Sequence, residues 1–190
     1  KENIIFFDVH NIALNLKLWK NINKNFKLIN IERHPVDLVY SWLKNGFGEN
    51  KISPISQILL YKYQKKLIPF SAHKWKKKYI VMTKLDRIIY DLYLLHYKSD
   101  KEFKKYYNKK NILRIKYEDF LKKPLLYLNQ INKFLRLKSR IYFEKYKSRI
   151  DYSKIPSNET IAQKLRYIKK NSSKESYKKL TILVKLYESN

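Results

Sequence analysis

Arg33 and Ser41 are the residues of this chain whose types and spacing best suit an anionic group. Arg33 closes the run Leu28-Ile29-Asn30-Ile31-Glu32-Arg33, and Pro35 follows two positions later. A guanidinium forks onto phosphate oxygens through paired N–H···O bonds. Pro35 suits the first turn of a helix, where its missing N–H costs nothing, and Gly46 suits that helix's end. Arg33 is thereby placed at a strand's carboxyl end, beside a helix N-terminus whose N–H groups and partial positive charge favour phosphate. Ser41 lies eight residues after Arg33. Asp37, Ser41 and Asn45 form a polar stripe at four-residue spacing, opposite Val39 and Leu43. A hydroxyl on that stripe can share a phosphate with Arg33. Taken alone, Arg-x-Pro is accounted for more plainly by a salt bridge and a solvated serine. His10, after residues 4–9, is an imidazole able to act as a base near neutral pH, or else a loop histidine bonded to backbone.

The elements that must hold these side chains follow from apolar spacing. Short branched runs at residues 4–9, 28–31 and 112–115 read as central parallel strands. Helical spacing runs through residues 11–24, 35–45, 55–67, 84–97, 124–137 and 173–188. Residues 53–56 and 151–160 read as loops, and the basic clusters at 74–78 and 104–110 as solvated surface. Strand alternating with helix implies an α/β fold with crossover helices. Ligands in such folds bind beyond the carboxyl ends of the strands, where Arg33 and His10 both fall.

A second block, Ile112-Leu113-Arg114-Ile115-Lys116-Tyr117-Glu118-Asp119-Phe120, precedes Pro124 and a helix ending near Phe134-Leu135. Helix capping and a core aromatic explain Glu118, Asp119 and Phe120. Together the two blocks resemble the sulfotransferases that use 3′-phosphoadenosine 5′-phosphosulfate (PAPS). Strand, Arg33, Pro35, Asp37 and Ser41 are similar to that family's 3′-phosphate motif. The later block is similar to its Arg-Tyr-Glu-Asp-Leu … Pro … Phe-Leu-Gly segment, with Lys116 in place of the frequent Arg.

The resemblance implies an α/β fold of P-loop type, three-layered, with a short parallel sheet and many surrounding helices. It implies PAPS as co-substrate, no metal, and Arg33 and Ser41 on the 3′-phosphate. Tyr117 would contact the adenine, and His10 would deprotonate the acceptor. The acceptor would carry a hydroxyl or amine, a saccharide among the candidates. Two family features have no counterpart. No Gly/Ser/Thr-rich donor loop is visible, so one domain over residues 1–190 is expected to lack that N-terminal segment and to be inactive alone. The late Lys/Arg-Gly loop has no glycine. Lys164 and Arg166, with Lys169 and Lys170, fall in its region. Residues 68–79 are aromatic and basic, suited either to an acceptor site or to packing on the core.

The absence of cysteine excludes disulfides, thiolate metal sites and a cysteine nucleophile. The four histidines lack metal-ligand spacing. A net charge of +27 fits an anionic partner, and equally a Lys-, Asn- and Ile-rich codon bias. A nucleic-acid-binding module is the alternative from charge and tyrosine content. The basic residues are spread along the chain, which makes nucleic acid the weaker partner. Another P-loop nucleotide-binding protein is the remaining alternative. No secretory signal or membrane-spanning run is visible, and a cytoplasmic location is the expectation.

Overall fold

A computed structural model describes residues 16–22, 26–48, 60–106, 110–137, 148 and 152–189. The strand expected at residues 4–9, with Asp8 and His10, lies outside the described residues.

Helix α1 (Leu16–Ile22) leads to strand β1 (Leu28–Glu32) and helix α2 (Pro35–Lys44). A hairpin of β2 (Leu60–Tyr63) and β3 (Lys66–Pro69) follows, then a 3-10 turn (Phe70–Trp75) and α3 (Lys76–Val81). The long helix α4 (Lys84–Tyr106) returns the chain to β4 (Ile112–Lys116), α5 (Tyr117–Lys122) and α6 (Pro124–Leu135). Two helices close the described chain, α7 (Asn158–Asn171) and α8 (Lys174–Glu188). The result is a mostly helical α/β protein.

Strands β1 and β4 pair in parallel, Leu28 opposite Ile112 and Glu32 opposite Lys116. That register carries Arg33 and Tyr117 off neighbouring strand ends together. Side chains alternate across a strand, so Glu32 faces away from Arg33. It accepts from Arg114 on β4 at 2.6 Å, and the Arg114 guanidinium lies 5.0 Å from the Phe103 ring centroid on α4. Leu16, Leu28, Phe103 and Ile112 form the core beneath this face.

The larger core lies among the helices. Val36 and Val39 of α2 meet Leu85, Ile88, Ile89 and Leu92 of α4, Ile168 of α7, and Leu180 and Leu183 of α8. Capping explains where these helices start. Ser157 Oγ accepts from Thr160 N at 3.1 Å, and Ser173 Oγ from Ser176 N at 3.2 Å. Thr83 Oγ1 accepts from Asp86 N at 3.1 Å and donates to Asp86 Oδ2 at 2.8 Å. The other Asp86 oxygen accepts from Ser173 N at 2.8 Å and Ser173 Oγ at 3.0 Å. One carboxylate thus serves the first turns of both α4 and α8.

Several expectations are corrected. The helical spacing read over residues 55–67 gives way to the β2–β3 hairpin, at least from Leu60 on. Gln64 and Lys65 both take positive φ, 46° and 61°, as a two-residue turn of right-handed twist demands. Residues 158–160 begin α7 and are not loop. Helix α4, expected over residues 84–97, runs on to Tyr106, while Lys104 and Lys105 within it are exposed, as the surface reading of that cluster had it. Asp37 is only 3% exposed, so the polar stripe of α2 is buried at its head. Within residues 68–79, Ile68, Ala72 and Tyr79 form a small core with Trp75 packed against it.

Candidate functional site

The corner between β1 and α2 is set by local chemistry. Pro35 occupies the first helical position, and Gly46 beyond the last turn takes φ +78°. His34 is the N-cap residue, and its backbone N–H donates to Glu118 Oε1 at 2.9 Å. The other Glu118 oxygen accepts from the Tyr187 hydroxyl of α8 at 2.6 Å. Glu118 was expected to cap its own helix. It instead anchors the start of α2, because the parallel register brings the β4–α5 corner beside it. The Tyr187 ring meets the His34 imidazole edge-on at 5.2 Å. Burial holds His34 below its ordinary pKa, against the opposing charges of Glu118, Glu188 and Asp37. A neutral His34 adds no charge to the corner.

Three charged side chains converge beside it. Arg33 Nη2 donates to Asp37 Oδ2, and Lys164 Nζ of α7 donates to Asp37 Oδ1. The Asp37 side chain is 4% exposed, while Arg33 and Lys164 keep 28% and 20%. Both cations therefore lie at the edge of solvent over a buried carboxylate. The Arg33 guanidinium stands 5.6 Å from the Tyr117 ring centroid, within cation–π range. Lys164 Nζ lies 5.4 Å from the Tyr40 ring, which meets Tyr167 edge-on at 5.9 Å. Arg33 Nε is enclosed and has no hydrogen-bond partner.

Of the expected site residues, Arg33, Tyr117 and Lys164 are brought together. Ser41 is one turn beyond Asp37 on the same face, half-buried, with Asn45 Nδ2 at 3.5 Å. Arg166, two residues after Lys164, is exposed on the opposite side of α7. Lys169 and Lys170 are also exposed, and Lys169 Nζ stands 5.9 Å from the Tyr177 ring. Glu118 and Tyr187 had been read as a cap and as helix packing. Their link joins positions 69 residues apart, which periodicity cannot show.

The anchored corner has the character of an anion site. Two cations share one carboxylate, and the N-terminus of α2 adds its partial positive charge. The residues fit a phosphorylated nucleotide: an enclosed Arg33 Nε lacks an acceptor, and an aromatic ring stands beside the guanidinium.

The described residues form a mostly helical α/β fold with one parallel strand pair, and this corner lies at its carboxyl end. The family model described as "Sulfotransferase domain" matches residues 6–185. The chain belongs to the sulfotransferase family, and sulfuryl transfer is the activity of that class. No curated protein and no solved structure matches. Among the described residues, no helix is long and apolar enough to cross a membrane, and no three of His, Asp and Glu gather as a metal site.

Proposed function

We propose that the chain is the sulfotransferase domain of an enzyme that transfers a sulfuryl group from PAPS to a hydroxyl or amine acceptor, saccharides included. The observation that carries the reading is the convergence of Arg33, Lys164 and the α2 N-terminus next to Tyr117. A 3′-phosphate there meets two cations and oriented N–H groups, and Tyr117 offers a ring face to the adenine. Ser41 supplies a hydroxyl one turn further along α2.

In the transfer, an acceptor oxygen or nitrogen attacks sulfur in line, and the bond from sulfur to the bridging phosphate oxygen breaks. 3′-Phosphoadenosine 5′-phosphate leaves with that oxygen, and the acceptor's proton passes to a base. His10 is our candidate for the base. The chain's contribution at the described corner is to hold the nucleotide end of the donor still, which is positioning rather than bond chemistry. Residues 1–190 form one domain in this reading.

The test is binding, because it needs no acceptor. 3′-Phosphoadenosine 5′-phosphate should raise the melting temperature more than adenosine 5′-phosphate does. Arg33→Ala should abolish the difference. Equal shifts from both nucleotides, or tight salt-dependent binding of mixed-sequence RNA unaffected by either, would refute the reading.

A further inference from the structure

We propose that Asp37 is a positioning residue for the donor nucleotide, one that holds Arg33 and Lys164 as a preformed pair for the 3′-phosphate. This rests on the donor-nucleotide reading and adds a role that reading leaves unassigned. Asp37 is almost fully buried on the first turn of α2, yet it faces two cations that are not. Each cation takes a different carboxylate oxygen. The residue joins elements far apart in sequence, since Lys164 comes from α7, 127 positions later.

Charge and geometry predict opposite effects of removing this carboxylate. Arg33, Lys164 and Asp37 sum to one positive charge; without Asp37 the sum is two. If Asp37 acted only as a competing anion, a neutral substitute would strengthen phosphate binding. If it acts by positioning, the substitute releases two long, flexible, mutually repelling side chains, and binding weakens despite the added charge. The buried placement favours positioning. Asp37 is fixed by the helix and the packed core around it, so the cations meet a rigid reference point. A site whose groups are already held in place loses less freedom on binding. The Tyr40 ring near Lys164 and the Tyr117 ring near Arg33 crowd the same two side chains further.

Titration calorimetry with 3′-phosphoadenosine 5′-phosphate and adenosine 5′-phosphate separates the possibilities. Wild type should prefer the 3′-phosphorylated nucleotide. Asp37→Asn should cut that preference at least tenfold while leaving adenosine 5′-phosphate affinity within about twofold. A merely structural defect would weaken both nucleotides together. If Asp37→Asn fails to fold, Lys164→Met and Lys164→Arg keep the question open to test. The Met variant should lose most of the preference, and Arg should keep it. An unchanged or increased preference in Asp37→Asn, or in Lys164→Met, overturns the role of Asp37 and leaves the donor reading intact. A wild type with no preference overturns both.

Discussion

Tyr187 donates its hydroxyl to Glu118 Oε2 at 2.6 Å, and Glu118 Oε1 receives the backbone N–H of His34. The last described helix is thereby bonded to the residue adjoining Arg33. Burial and the neighbouring Glu118 push the Tyr187 hydroxyl far above its ordinary pKa, so it remains a donor throughout the accessible pH range. Tyr187→Phe removes one donor and leaves a buried carboxylate short of a partner. The expected loss is about 1–3 kcal/mol of unfolding free energy, read from urea denaturation. An unchanged urea midpoint would contradict it.

Asp91, on α4, predicts a pH dependence. Burial pushes its carboxyl up to about 6 from 3.8, against the Ser71 hydroxyl and the Lys98 charge, and its Oδ1 has no partner. The folded protein therefore holds this proton more tightly than the unfolded chain does. Between about pH 4 and 6 the group's ionisation costs stability as pH rises, and above that window the cost is constant. Asp91→Asn should remove this component. The stability difference between variant and wild type should grow by roughly 2–3 kcal/mol from pH 4 to pH 7. A difference that does not vary with pH would rule the account out.

Arg136 and Gly48 predict opposite responses to glycine chemistry. Arg136 ends α6 with φ +58°; its N–H bonds Lys133 O, and Leu137 N–H bonds Asn132 O. This is the arrangement that favours glycine. Arg136→Gly should stabilise the protein by about 0.5–1 kcal/mol. Gly48 has φ +77°, and an added Cβ would lie 2.7 Å from the Lys84 carbonyl oxygen. Gly48→Ala should cost about 1–3 kcal/mol. Thermal midpoints moving the other way would disprove either assignment.

Ser41 separates binding from stability. It is half-buried, and its Asn45 contact is long at 3.5 Å. Ser41→Ala should leave the melting temperature within a degree or two. It should weaken 3′-phosphoadenosine 5′-phosphate about 10- to 150-fold, the worth of a hydrogen bond to a charged group. Full retention of affinity would take Ser41 out of the site.

What the sequence made legible is what local rules determine. The run at residues 28–31 is too short for a helix, and Pro35 and Gly46 bracket α2 because each has a backbone reason to be there. The parallel pairing followed from strand–helix alternation, and Arg33 and Tyr117 fell on strand ends for the same reason. The hairpin at 60–69 was hidden because neither Gln64 nor Lys65 is the glycine or asparagine such turns favour. The register of spacing there was also compatible with a helix. The start of α7 was masked by Pro156 and the polar run after it, although Ser157 three residues before Thr160 is a fair capping signal. The selection of Lys164 over Arg166 depends on which face of α7 meets α2. Only the burial of Ile168 and its neighbours decides that.

The double duty of Asp86 bears on the order of events during synthesis. Residues 173–176 leave the ribosome long after α4 has emerged, so the hydrogen bonds to one of this carboxylate's two oxygens must wait for them. The same delay applies to Lys164 and Tyr187. A nascent chain can complete its strand pair and α2 early, yet its two key cations cannot be gathered until α7 arrives. On the donor-nucleotide reading proposed above, nucleotide capture is a late acquisition, appearing together with the docking of the final helices.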